Sequence, residues 1–176
     1  VNLIDNGDVE RGTGGTGEPT PAVPGWQTVE GAPAIIRYAA GGGYPTALDP
    51  GPAERGAQFL GGGTSPRTRL TQTVRLPAGA VFRLAGWLGG FATQQDGVRL
   101  SVEFLDRTGY PIGLAVLGPV TAQERGLRTG LFEQTTTGPV PAGSTHARIT
   151  LLFTRSGSGS SNDGYADNLS LTVGAR

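Results

Sequence analysis

From residue 57 onward the sequence is cut into short runs that alternate apolar and polar residues, and this period of two constrains the fold more than any other feature of the chain. Val98, Leu100, Val102 and Phe104 share one phase, as do Ala147, Ile149, Leu151 and Phe153, and Phe82, Leu84 and Leu88. Successive side chains of a strand point to opposite faces, so each set makes one apolar side and belongs in a core. The runs 57–60, 68–76, 81–87, 98–105, 112–117, 127–134, 146–154 and 167–173 all have this character, with Gly, Pro, Asp or Ser between them. Trp26 opens a further short strand, and 34–38 reads as another. No segment keeps helical spacing for three turns, and "TAQERG" (121–126) is long enough for one turn at most. Short strands punctuated in this way specify an all-β fold, an antiparallel sandwich of the jelly-roll type.

A length of 176 residues suits one domain, 1–176, with a two-layer core. The apolar fraction is only 36%, but most of the 31 Gly and 13 Pro fall between the apolar runs, which indicates loop-rich β structure rather than disorder. The longest irregular stretches are 11–25 and 41–56, the second carrying Tyr44, Asp49 and Glu54. Long loops in a compact domain are functional or mobile more often than not. All 14 basic residues are Arg and the net charge is zero, so a nucleic-acid backbone is not an expected partner. Without cysteine there is neither a disulfide nor a thiolate nucleophile or metal ligand. No apolar run approaches the length of a membrane helix, so the chain reads as a mature or excised soluble domain with no membrane partner.

The C-terminal run 162–173 contains one anomaly. Asp167 stands in phase with Leu169, Leu171 and Val173, where a lone carboxylate is costly to bury unless something neutralises it. At the other end, residues 2–10 offer a short strand and a Gly-containing turn carrying Asp8 and Glu10. A fold that joins the two ends puts three carboxylates within reach of one hard cation, and calcium takes all-oxygen shells. The alternative is that Asp8 and Glu10 are solvated turn residues and Asp167 bonds to backbone amides.

The opening "NLIDNGDVE", the pair Gly25-Trp26 and the closing "DGYADNLSL" resemble the galactose-binding-like β-jelly rolls, which include many carbohydrate-binding modules of secreted bacterial enzymes. The blocks "GAQFLGGG" (56–63), "LTQTVRL" (70–76), "LAGWLGGFATQQDGVRLSVEFLD" (84–106), "GPV" (118–120) and "VPAGSTHARITLLFTR" (140–155) are similar to the ordered blocks of such modules. The resemblance implies a structural calcium held by Asp8, Glu10 and Asp167 and an extracellular location. It leaves the ligand open, because this fold carries sugar binding, adhesion and structural roles alike.

Alternation also suggests a binding face. Opposite the core phases lie Arg83 and Trp87, then Arg99, Ser101 and Glu103, then His146, Arg148 and Thr150. If these three strands are neighbours, they form a polar face with one exposed indole, on which a sugar stacks while Arg and Glu bond to its hydroxyls. Trp26 reads instead as a core or edge anchor. Gln94, Gln95 and Asp96 stand at the edge of the expected face, in a loop that pairs with 156–165. Those loops, with Asn162 and Asp163, are either a ligand-binding or second cation-binding end of the sandwich or plain Asp-Gly turns.

Catalysis is hard to assemble: His146 is the sole histidine, and Glu103 pairs naturally with Arg83, Arg99 or Arg148. "GGGTS" lacks the Lys of a phosphate loop. The expectation is therefore a non-catalytic, calcium-stabilised carbohydrate-binding module for polysaccharide or oligosaccharide, secreted and attached to a larger protein. The alternatives are a structural or protein-adhesion jelly roll and a small polysaccharide lyase or hydrolase.

Overall fold

The computed structural model describes residues 1–175. Ten strands follow in order: β1 (Gln27–Glu30), β2 (Ala34–Arg37), β3 (Gln58–Gly61), β4 (Arg67–Arg75), β5 (Val81–Gly90), β6 (Gly97–Leu105), β7 (Pro111–Leu117), β8 (Gly130–Pro139), β9 (His146–Thr154) and β10 (Gly164–Gly174). They form two five-stranded antiparallel sheets, β1-β4-β9-β6-β7 and β2-β3-β10-β5-β8. The all-β jelly roll that the alternation specified is the fold observed. Among the described residues there is no helix, and so none long and apolar enough to cross a membrane. The 121–126 segment forms hydrogen-bonded turns, with Arg125 N–H donating to the Thr121 carbonyl. Residues 2–10 form no strand; the Leu3 amide bonds to the Leu171 carbonyl and a turn follows.

The main core lies between the sheets and is built from the phases read above. Leu84, Leu88 and Leu171 come from one sheet and Leu100, Ile149 and Phe153 from the other, all fully buried. Phe82 and Phe104 meet across the gap with ring centroids 4.9 Å apart. Trp26 is buried in this same core, as its anchor role requires.

A second, smaller core sits on the outer side of the β2-β3-β10-β5-β8 sheet. Tyr38, Phe59, Leu131 and Tyr165 form it, with Tyr44, Trp87 and Phe91 packed alongside. The long loop 38–57 is laid across this sheet. Its two ends are joined by the Tyr38 amide on the Ala57 carbonyl, and its middle is tied to β8 by the Leu131 amide on the Pro50 carbonyl. Pro45 and Pro52 of the loop are themselves buried. The loop therefore acts as a cover, and it closes much of one outer face of the sandwich while the other stays open.

The phase of Asp167 is corrected by a bulge. The β10–β5 register pairs Asp167 with Trp87 but Ser170 with Ala85, so β10 carries one extra residue at this point. Asn168 absorbs it at a left-handed φ of 45°. Asp167 thus leaves the phase of Leu169 and Leu171 and joins that of Tyr165, on the loop-covered side.

Candidate functional site

Two places in the fold concentrate chemistry. The first is where the chain ends meet the bulge. Asp167 is fully buried, accepting a 2.6 Å hydrogen bond from the Tyr38 hydroxyl and a 2.8 Å bond from the Asn168 amide. Burial pushes its pKa up to about 8, and the nearby charges of Glu10 and Asp8 add to the rise against those two bonds. The Tyr38 hydroxyl is likewise raised, by burial and then by the Asp167 charge. Glu10 accepts from the Ala57 and Gln58 amides. The backbone here is unusual: Asn6 and Val9 take φ values of 50° and 60°, and for a β-branched residue such as Val9 that is a genuine outlier.

The cluster offers three carboxylates, with no basic side chain among the described residues bonded to them, an oxygen donor set that a hard divalent cation could use. In their present positions, no group of three acidic side chains among the described residues closes on a single ion. Glu10 is turned onto amides and Asp167 onto Tyr38, so a bound ion would have to share those oxygens.

The second place is the open outer face of the β1-β4-β9-β6-β7 sheet. The register fixes which side chains stand in rows across β4, β9 and β6. One row is Arg69, Leu152 and Arg99; the next is Thr71, Thr150 and Ser101; the third is Thr73, Arg148 and Glu103. Directly opposed side chains are close enough to contact one ligand together. On β7, Val116 continues the hydroxyl row and Leu114 the third. Arg99 stands between two shallow grooves. One, of about 270 Å³, is bounded by Gln95, Leu152 and Thr154; the other, of about 510 Å³, by Ser101, Glu103, Leu114 and Val116. Glu103 and Arg148 form a half-exposed ion pair at 3.4 Å.

The residues expected to share one face are thus divided. Arg99, Glu103 and Arg148 come together on the open sheet, and Gln95 meets them at its end. Arg83 and Trp87 do not, because β5 belongs to the other sheet. Arg83 is exposed there, opposite Thr137 and Thr172. Trp87 is half-buried against the aromatic cluster under the loop, and no open stacking platform exists at that position.

The Asp-Gly loops are not simple turns. Asp96 is buried and accepts from the Ser156 amide and hydroxyl and from the Asp163 amide, joining 92–97 to 156–163 at one end of the sandwich. Asp163 accepts from the Tyr165 hydroxyl, and burial raises its pKa. The Gln94 side chain is exposed and its backbone carbonyl accepts from the buried Arg125, while the Gln95 side-chain amide donates to the Gln123 side-chain oxygen. Residues that the sequence reading passed over are Arg69, Thr71, Leu114, Val116 and Leu152 on the open face. Their alternation was visible in the runs that hold them, but strand neighbours are not written in a run.

No family model matches the sequence, and no curated protein matches it. Solved structures do match in shape. A family 16 carbohydrate-binding module aligns over 97% of this chain and 99% of its own, at 18% identity and a TM-score of 0.62. TmCBM61, solved in complex with β-1,4-galactotriose, aligns over 98% and 99%, at 20% identity and 0.54. The enzymatically active domain of tailspike protein 4 from bacteriophage CBA120 aligns over 98% of this chain at 16% identity and 0.57, but the match spans only 21% of that chain. The chain has the two-sheet jelly-roll fold of carbohydrate-binding modules.

Proposed function

We propose that this chain binds carbohydrate on the outer face of the β4–β9–β6 strands and acts as a non-catalytic module of a larger secreted protein. The observation that carries the reading is the set of rows on that face. Three hydroxyls, Thr71, Thr150 and Ser101, lie side by side, flanked by guanidinium groups and a carboxylate, with aliphatic Leu152, Leu114 and Val116 beside them. Hydroxyls, guanidinium and carboxylate together supply donors and acceptors for sugar hydroxyls, and the aliphatic groups cover its C–H faces. The shared fold with modules of this kind adds support. The exposed apolar strip Ile112, Leu114 and Val116 on edge strand β7 favours, as a second reading, a protein-adhesion surface.

Calcium belongs to the same proposal. Asp8, Glu10 and Asp167 are the residues that would hold it, and its charge would let Asp167 ionise in the interior, tying the N-terminal turn to β10. The ion would have a structural role, because Asp167 is at the bulge of β10 and the ligand face belongs to the other sheet.

The test is retention of the 176-residue chain on a panel of insoluble and arrayed polysaccharides, with calcium and with EDTA. Specific retention lost in Arg99→Ala and kept in Trp87→Ala supports the reading. No retention across the panel, or loss with Trp87→Ala alone, overturns it.

A further inference from the structure

Resting on the reading above, we infer that the open face selects polysaccharides bearing uronate carboxylates, with Arg69 and Arg99 as the anion-binding pair on either side of Leu152. The chain as a whole is neutral, but its charges are not evenly spread. The open sheet presents Arg67, Arg69, Arg75, Arg99 and Arg148 outward against Glu30 and Glu103, five positive groups against two negative. Asp8, Glu10 and Asp167 sit at the bulge of the other sheet and Asp96 and Asp163 in the end loops.

Not all of these guanidinium groups are engaged. Among the described residues Arg99 has no acidic partner, while Arg69 reaches Glu30 at 3.5 Å in an exposed pair that is readily exchanged. The planar guanidinium fork matches a planar carboxylate through two parallel hydrogen bonds. The face also lacks what a neutral glycan most needs, because the outward residues of β4, β9 and β6 include no Trp, Tyr or Phe ring, and the His146 imidazole stands at the end of β9, away from the Arg69–Leu152–Arg99 row. Glu103 limits the anion density that the face accepts. A guanidinium row, a hydroxyl row and then the Arg148–Glu103 pair suit carboxylates spaced among ring hydroxyls, and Glu103 repels a densely sulfated chain.

The experiment is calorimetric titration of the whole chain with tetrasaccharides of galacturonate, mannuronate and glucuronate. Cello-, xylo- and galacto-tetraose and a sulfated heparin tetrasaccharide serve as comparisons. At least one uronate should bind about tenfold or more tightly than every neutral and sulfated sugar. Arg99→Ala and Arg69→Ala should each weaken it about tenfold, with the thermal midpoint unchanged, and added salt should weaken it further. Equal or better binding of a neutral sugar, insensitive to both substitutions, overturns the uronate inference and leaves carbohydrate binding standing. Heparin binding equal to uronate binding overturns it as general anion attraction. Failure of every sugar overturns the inference together with the proposed function.

Discussion

Tyr38 and Asp167, 129 residues apart, meet through a 2.6 Å hydrogen bond from the phenol to the carboxylate beneath the covering loop. The bond fastens the start of that loop to the bulge of β10. Tyr38→Phe leaves the ring in its cluster and removes only the hydroxyl, so it isolates this link. It should destabilise the chain by about 1–3 kcal/mol, the range for leaving a buried acceptor short of a donor. Urea denaturation of the two proteins measures the difference directly.

Asp167 makes stability depend on pH in a direction opposite to that of an ordinary surface acid. Its pKa of about 8 in the fold exceeds the usual value of 3.8, so between those limits the folded chain holds a proton that the unfolded chain has released. Stability from this group is complete below about pH 4 and declines as pH rises to about 8, by at most about 1.4 kcal/mol per pH unit. In EDTA the thermal midpoint should fall over that window, and Asp167→Asn should flatten the fall. With calcium added, the stabilisation by the ion should grow with pH, because the ion competes with the proton for the same carboxylate.

The strands and the all-β sandwich class were legible in the sequence, but the membership of each sheet was not, so the binding face was only half legible, for a physical reason. Alternation depends on residues within a strand, so the core phases of β5, β6 and β9 and the limits of β9 could be read from single runs. Strand order depends on pairings distant in sequence, and nothing within 81–87 tells β5 that its neighbours are β10 and β8 rather than β6 or β9. For that reason Trp87 and Arg83 were assigned to a face they do not share. Asp167 shows a second limit. One left-handed residue, Asn168, shifts the phase, and alternation across a bulge counts to the wrong side.

Gly7 is where the N-terminal turn touches β10 most closely. Its amide-bearing backbone lies so near the Leu169 carbonyl that a methyl group would collide with it, and its own carbonyl accepts from the Leu169 amide. Gly7→Ala should lower stability by about 2 kcal/mol or more. Added calcium should rescue it less than it stabilises the parent, because the turn carrying Asp8 and Glu10 is pushed off. Thermal melts with and without the ion check both parts.

Asp96 unites two loops through three accepted hydrogen bonds from Ser156 and Asp163. Asp96→Ala strands those donors and should cost about 3 kcal/mol. Hydrogen exchange should then show faster amides in 156–163, with the core strands protected as before.

The most direct test of the account is to map ligand contact on the folded chain by amide chemical shifts during titration with a saccharide that it retains. The account predicts perturbations concentrated on Arg69, Thr71, Arg99, Ser101, Thr150 and Leu152, with those around Trp87 and Arg83 unmoved. Perturbations centred on β5, β8 and the covering loop, with the β4–β9–β6 face silent, would contradict it.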